Sequence, residues 1–383
     1  MKITELRIFH VRPRWMFLKI STDEGLFGYG EPVLEGRART VERAVEEFSE
    51  YLVGKDPLQI QHHWQTLYKS SYYRGGPILL SALSGIEQAL WDIKGKFYGA
   101  PIHEMLGGKC RDKIRMYTHI KPSGIKRGNS VEEMIILARK KLEGGYTALK
   151  YSIIPPVHFI ENRSALNAHV DRFAAVREAV GNRVDLAIDF HGRVSRGLAV
   201  RIAKELEQYY PMFIEEPCSP EDINGIKSVA AQTNIPIATG ERIFTKWGFR
   251  DLLEQNVVSI VQPDVCHAGG IFETVKIAAM AEAYNVALAP HNPLGPISLA
   301  ACLQVDAACP NFMIQEHPLT EDGSDLGHGI LKQPFEIENG FIRVSEKPGL
   351  GIEVDEEAVC KRAYPGDWTT PLLYFEDGSL ADW

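Results

Sequence analysis

Eight side chains able to hold a cation or move a proton stand at the ends of short apolar runs: Lys150, Asp189, His191, Glu215, Glu241, Asp264, His291 and Glu316. In "VDLAIDFHGRVS" the apolar run closes on Asp189 and His191, and the period of two along a strand points both to one side, with Phe190 opposite. Asp189, Glu215 and Glu241 follow one another at intervals of 26 residues. On adjacent strands, three carboxylates in such register repel strongly unless a cation lies between them. A donor set made only of carboxylate oxygens, with positions left for substrate oxygens, predicts a hard divalent ion, and Mg2+ fits best. Asp264 in "QPD" precedes His291 in "APH" by one further unit, so its carboxylate is placed to accept from one ring nitrogen. That contact would fix the tautomer and raise the basicity of the other nitrogen. His191 is expected across the pocket from this pair. Each acid taken alone also reads as a helix N-cap.

These groups need a scaffold that brings many strand ends to one place. From residue 113 the chain shows eight apolar runs, at 114–120, 147–152, 184–190, 212–217, 235–240, 260–265, 286–291 and 312–317, separated by amphipathic stretches. Eight strands alternating with helices predict an α/β fold, a (β/α)8-like modified TIM barrel whose active site lies at the strand C-terminal ends. An open doubly wound sheet is the alternative, but no G-x-G-x-x-G loop follows any run. Residues 1–112 mix alternating strands with helical periodicity, as an α+β capping domain would. Residues 113–320 are the expected barrel. The segment 321–383 returns to strand-like alternation and is expected to rejoin the cap.

Composition excludes several classes. Acidic residues outnumber basic ones, 50 to 42, and no basic run stands out, so nucleic acid is not expected as a partner. The six cysteines form no C-x-x-C pair or regular framework, which speaks against a zinc site or a disulfide scaffold. No apolar run reaches membrane-spanning length and the N-terminus does not read as a signal peptide, so a cytoplasmic protein without membrane association is expected.

The motifs "ALWDIKGK", "DFHGR", "FIEEP", "GER", "QPD", "HAGG" and "PGLGIEVDE" resemble the enolase superfamily of the mandelate racemase kind. Within it, "PRWMFLKI", "GEPVLEGRARTVE", "YRGGPILLSA" and "LAPHNPLGPISLAACL" are similar to sugar-acid dehydratases of the D-galactonate dehydratase type. The resemblance implies one Mg2+ per subunit held by Asp189, Glu215 and Glu241, and a small sugar-acid substrate bound through its carboxylate. It implies His291 with Asp264 as the base at C2, His191 as the acid at the C3 hydroxyl, and Glu316 near the oxygen of the enediolate. It also brings Lys150, Arg14, Trp15 and Arg37 toward the substrate, and it implies a symmetric homo-oligomer. The product would be a 2-keto-3-deoxy acid.

One departure bears on mechanism. Racemases and cycloisomerases of the superfamily carry Lys-x-Lys after the second barrel strand, whereas here "LKYSI" puts Ser152 at the second place. The loop 153–167 is likewise unlike its counterparts. Rival readings are a dehydratase of mannonate or gluconate, an epimerase using Lys150 and His291 as opposed bases, and a sugar-acid sensor without turnover.

Overall fold

The computed structural model describes residues 1–120, 130–318 and 320–383. Strands β1 (Ile3–Val11), β2 (Trp15–Thr22) and β3 (Phe27–Gly30) form an antiparallel meander. Helices α1 (Ala38–Leu52), α2 (Ile60–Lys69), α3 (Pro77–Tyr98) and α4 (Ile102–Met105) follow. Strand β3 lies directly on α3, and its glycines make this possible. A Cβ on Gly30 would come within 1.9 Å of the Gly85 carbonyl oxygen, and one on Gly28 within 2.2 Å of that of Ala89.

The barrel strands are β4 (Lys113–His119), β5 (Ala148–Ser152), β6 (Asp185–Asp189), β7 (Ile214–Glu215), β8 (Ile237–Thr239), β9 (Ile260–Val261), β10 (Ala287–Leu288) and β11 (Gln315–Glu316). They pair in parallel from β11 through β4 to β10, and a parallel bridge between Leu288 and Phe312 closes the ring. Between them run α5 (Val131–Glu143), α6 (Arg163–Val180), α7 (Arg196–Leu206), α8 (Ile223–Ala230), α9 (Thr245–Glu254), α10 (Ile271–Ala283) and α11 (Pro296–Ala308). After β11 the described chain makes a short 3-10 turn at Ser324–Leu326 rather than an eighth barrel helix.

One layer of the barrel interior takes a residue from each strand or its edge: Tyr117, Ala148, Ala187, Phe213, Ala238, Ile260, Ala289 and Ile314. Large and small side chains share that layer, so the barrel centre is filled and the strand ends above it form the floor of a site.

Two buried glutamates dock the cap on the barrel. Glu31, just after β3, accepts from the main-chain N–H of Gly295 at 2.8 Å and of Ser298 at 2.9 Å, at the start of α11. Glu87 of α3 accepts from Ile271 and Phe272 at 2.7 and 2.9 Å, at the start of α10. The first N–H groups of a helix have no partner within it, and the positive end of its dipole favours a carboxylate. Burial nevertheless raises both acids, Glu31 to about 8 and Glu87 to about 7.

The last segment divides its contacts. Strand β12 (Phe341–Arg343) pairs antiparallel with β4 of the barrel, while α12 (Glu356–Lys361) meets the cap, where Tyr29 donates to Glu356 at 2.7 Å. A hairpin of β13 (Leu373–Tyr374) and β14 (Leu380–Ala381) then returns to the barrel mouth. No helix among the described residues is long and apolar enough to cross a membrane.

Candidate active site

Every barrel strand delivers a polar group to one end. His119 closes β4, Asp189 closes β6, Glu215 closes β7 and Glu316 closes β11. Lys150 lies within β5, Glu241 follows β8 by two residues, and Asp264 and His291 follow β9 and β10 and bridge each other in parallel. Neither Asp189 nor Asp264 caps a helix: Ser195 caps α7, and α10 begins after Gly270.

Lys150 is the hub. Its side chain is 2% exposed, and its Nζ lies 2.9 Å from both oxygens of Glu215, 2.5 Å from Glu316 and 3.8 Å from Asp189. Burial alone would lower its pKa, but Glu215, Glu316 and Asp189 outweigh that and raise it well above the ordinary lysine value. Glu316 is correspondingly held well below the carboxylate range: burial opposes this, and Lys150, His291 and His119 prevail. One of its oxygens takes His119 Nε2 at 2.5 Å, and the other accepts from the Asn292 N–H at 3.0 Å. An ionised, fully engaged Glu316 can only accept, so it is suited to hold the neighbouring cations in place rather than to donate to an oxyanion.

Asp189, Glu215 and Glu241 face this cluster. Burial and the neighbouring carboxylates push Glu215 well above its usual value against the pull of Lys150. Glu241 is held low; burial works against this, but His291, His191 and Lys150 outweigh it. The trio of possible ligand atoms gathered within 4.8 Å among the described residues is a different one, His103, Glu104 and Glu346. The three strand-end acids turn instead to the ammonium of Lys150 and the imidazole of His291, whose Nε2 is 3.1 Å from Glu241. Asp189 and Glu215 are buried and Glu241 nearly so, and three carboxylates from successive strands facing neighbouring cations form a donor set that suits a hard divalent ion.

His291 Nδ1 lies 2.8 Å from Asp264 Oδ2, and the other Asp264 oxygen accepts from Cys266 N–H at 2.7 Å. A carboxylate can only accept, so Nδ1 carries hydrogen; Nε2, turned to the site, faces Glu241 and carries hydrogen by the same argument. Burial would lower the ring's pKa, but Glu241, Glu316 and Asp264 outweigh it and raise it well above the ordinary histidine value. His191 sits on a left-handed turn, φ +56°, followed by Gly192 at +64°. Such a φ on a non-glycine residue costs on the order of 1 kcal/mol. A Cβ at Gly192 would lie 1.8 Å from Arg242 Nη2, so the turn closes directly on the Arg242–Glu216 pair. The His191 main chain donates to Asp189 at 2.6 Å, and its Nδ1 meets the main-chain oxygen of Trp383 at 2.7 Å.

The cap residues expected near substrate separate. Arg14 reaches the mouth, with Nη2 3.3 Å from the carbonyl of Pro293, two residues past His291, and 2.9 Å from Glu35. Trp15 is 1% exposed and packs within 3.0 Å of where a Gly295 Cβ would lie, which places its ring in the seam between cap and barrel. Arg37 is exposed just before α1 and donates to the adjacent Gly36 carbonyl at 2.9 Å.

His119, Arg193 and the Arg242–Glu216 pair were not among the sequence candidates. The "IRMYTHI" run did carry the signal for His119, a polar group ending the first strand as others end the rest. Arg193, in "DFHGR", is mostly buried, which lowers its pKa against the pull of Asp189 and Glu241.

Residues 133–358 match the family model described as enolase C-terminal domain-like, and residues 10–107 match the mandelate racemase / muconate lactonizing enzyme N-terminal domain. A D-galactonate dehydratase of Variovorax paradoxus is 48% identical over 388 residues, covering 100% of both chains. One of Ralstonia pickettii is 49% identical, also covering 100% of both. Among solved structures, a mandelate racemase/muconate lactonizing enzyme from Jannaschia sp. superposes with TM-score 0.87 at 33% identity, covering 95% of this chain and 98% of that one. An enolase-superfamily member from Salmonella Typhimurium gives 0.87 at 34%, covering 94% and 98%. The chain therefore belongs to the mandelate racemase / muconate lactonizing enzyme family of the enolase superfamily.

Proposed function

We propose that this chain is a hydro-lyase that converts an aldonate, D-galactonate first, to the 2-keto-3-deoxy acid with the help of Mg2+. The observation that carries the reading is two imidazoles with oxygen-bonded Nδ1 atoms, His191 and His291, on separate strand ends beside the carboxylates of Asp189, Glu215 and Glu241. The full-length likeness to proteins named D-galactonate dehydratase supports the choice of substrate.

Asp189, Glu215 and Glu241 would hold the ion, which when bound supplies positive charge to the substrate carboxylate and so acidifies the proton on C2. His291 Nε2 would accept that proton once it has released the hydrogen it presents to Glu241, while Asp264 stabilises the resulting imidazolium through Nδ1. The C2–H electron pair moves into the C1–C2 bond as the enediolate forms. Hydroxide leaves poorly, so His191 donates a proton to the C3 oxygen as the C3–O bond breaks, releasing water. The resulting C2–C3 enol tautomerises to the ketone. Lys150 holds Glu215 and Glu316 and supplies fixed positive charge near the carboxylate end.

The epimerase reading needs a second base at Lys150. Its ammonium is instead turned to Glu215 at 2.9 Å and Glu316 at 2.5 Å, which argues against that role.

The test is incubation of the purified protein with Mg2+ and galactonate, mannonate or gluconate, followed by detection of 2-keto acids. Product from galactonate, lost on chelation and restored by added Mg2+, is the expected result. Absence of product from the whole panel, or turnover indifferent to chelator, would overturn the proposal.

A further inference from the structure

The hairpin of β13 and β14 lies almost two hundred residues downstream of the strand end it meets, and no step above uses it. It is anchored at three points. Phe375 stacks on His158, in the loop after β5, with centroids 4.3 Å apart. Trp368 lies under the guanidinium of Arg14, 5.0 Å from its ring centre. Trp383, two residues past β14, meets Trp368 at 6.5 Å and presents its ring to the edge of His191 at 5.5 Å. The segment thus joins the cap loop, the loop after β5 and the turn after β6.

The contact at His191 has a chemical consequence. A main-chain oxygen accepts and never donates, so the 2.7 Å approach of Trp383 O requires hydrogen on His191 Nδ1. In the imidazolium, which carries hydrogen on both nitrogens, the transferable proton is then the one on Nε2, and the ring left behind is the neutral Nδ1–H tautomer. His291 is set the same way by Asp264.

We propose that Trp383 is a positioning residue for the second half of the reaction, its main-chain oxygen and ring fixing the orientation and tautomer of His191 so that Nε2 faces the departing C3 hydroxyl. This rests on the dehydratase reading. Proton removal at C2 is the work of His291 and does not need the hairpin.

The two half-reactions can be read apart in D2O. Deletion of residue 383 should lower kcat for water loss by about 10- to 100-fold, the worth of a hydrogen bond to an ionised group, while Trp383→Ala, which keeps the main-chain oxygen and removes only the ring, should lower it less. Recovered substrate should still gain deuterium at C2, at a rate comparable with wild-type turnover. KM should change little, and Trp383→Phe should recover most of the lost kcat. Water loss kept within about twofold in the deletion variant, or water loss and exchange falling together in folded protein, overturns the proposal. A second measurement stands whatever the substrate proves to be. Nitrogen NMR of the His191 ring should show hydrogen on Nδ1 in the wild type and a tautomer mixture in the deletion variant. A wild-type ring with Nδ1 bare overturns the proposal, whereas a protein with the expected tautomer but no turnover of any aldonate overturns the dehydratase reading alone.

Discussion

Replacing Asp264 by Asn tests the base most directly, because it removes a charge and keeps the volume. The wild-type carboxylate accepts from Cys266 N–H at 2.7 Å through one oxygen and from His291 Nδ1 at 2.8 Å through the other. An amide has one acceptor and one donor end. If its oxygen stays on the buried Cys266 N–H, its NH2 faces Nδ1, which must then accept. The ring hydrogen moves to Nε2, the nitrogen that has to be free to take the C2 proton. Restoring the productive tautomer breaks a hydrogen bond to an ionised group, about 1.5–3 kcal/mol, or about 10- to 150-fold in kcat. Loss of the base altogether would cost about 10²- to 10⁴-fold, which sets the outer limit. The assay is 2-keto acid formation alongside C2 deuterium exchange, with the thermal midpoint as a control on folding. Both rates should fall in parallel, unlike the split expected for Trp383. A folded Asp264→Asn variant that keeps kcat within about threefold, or that loses water elimination while exchanging C2 normally, would refute the assignment of His291 and Asp264 as the base.

Lys150→Met leaves Glu215, Glu316 and Asp189 without their shared ammonium, and removing one partner of a buried pair costs about 3–5 kcal/mol. Metal-free variant should melt well below metal-free wild type, and saturating Mg2+ should narrow the gap; equal melting points without metal would count against Lys150 as the hub. Glu31 is raised from 4.5 to about 8 in the folded protein, so between these values the folded state holds a proton that the unfolded chain has released. Its contribution is present below pH 4.5 and is lost as pH rises through about 8, with a slope of up to about 1.4 kcal/mol per pH unit. Urea unfolding of Glu31→Gln over this range should therefore show a flatter decline than wild type, and parallel curves would mean that the docking glutamate titrates normally.

The barrel was legible because parallel strands covered on both faces read as continuous apolar runs, and all eight runs from "IRMYTHI" to "FMIQEH" contain a strand. Their lengths were less so. The run 212–217 shortens to a strand of two residues, Ile214–Glu215, since regular pairing lasts only where both neighbours keep register. The polar groups at the strand ends were readable for a related reason: the alternation of a strand assigns each side chain a face before any contact is known.

What the linear pattern determined was therefore local: which runs become strands, which residues end them, and that Asp189, Glu215, Glu241, Asp264 and His291 share one rim. Tertiary structure decided how those groups are paired. Nothing in the spacing says that Lys150 bonds Glu316, that Arg14 donates to the Pro293 carbonyl, or that Trp383 closes on His191. The period of a strand or helix encodes the direction of a side chain relative to its own backbone. Partners brought from distant segments are selected only when the cap and hairpin settle on the barrel, because each such contact depends on burying both partners against surfaces that local sequence does not contain.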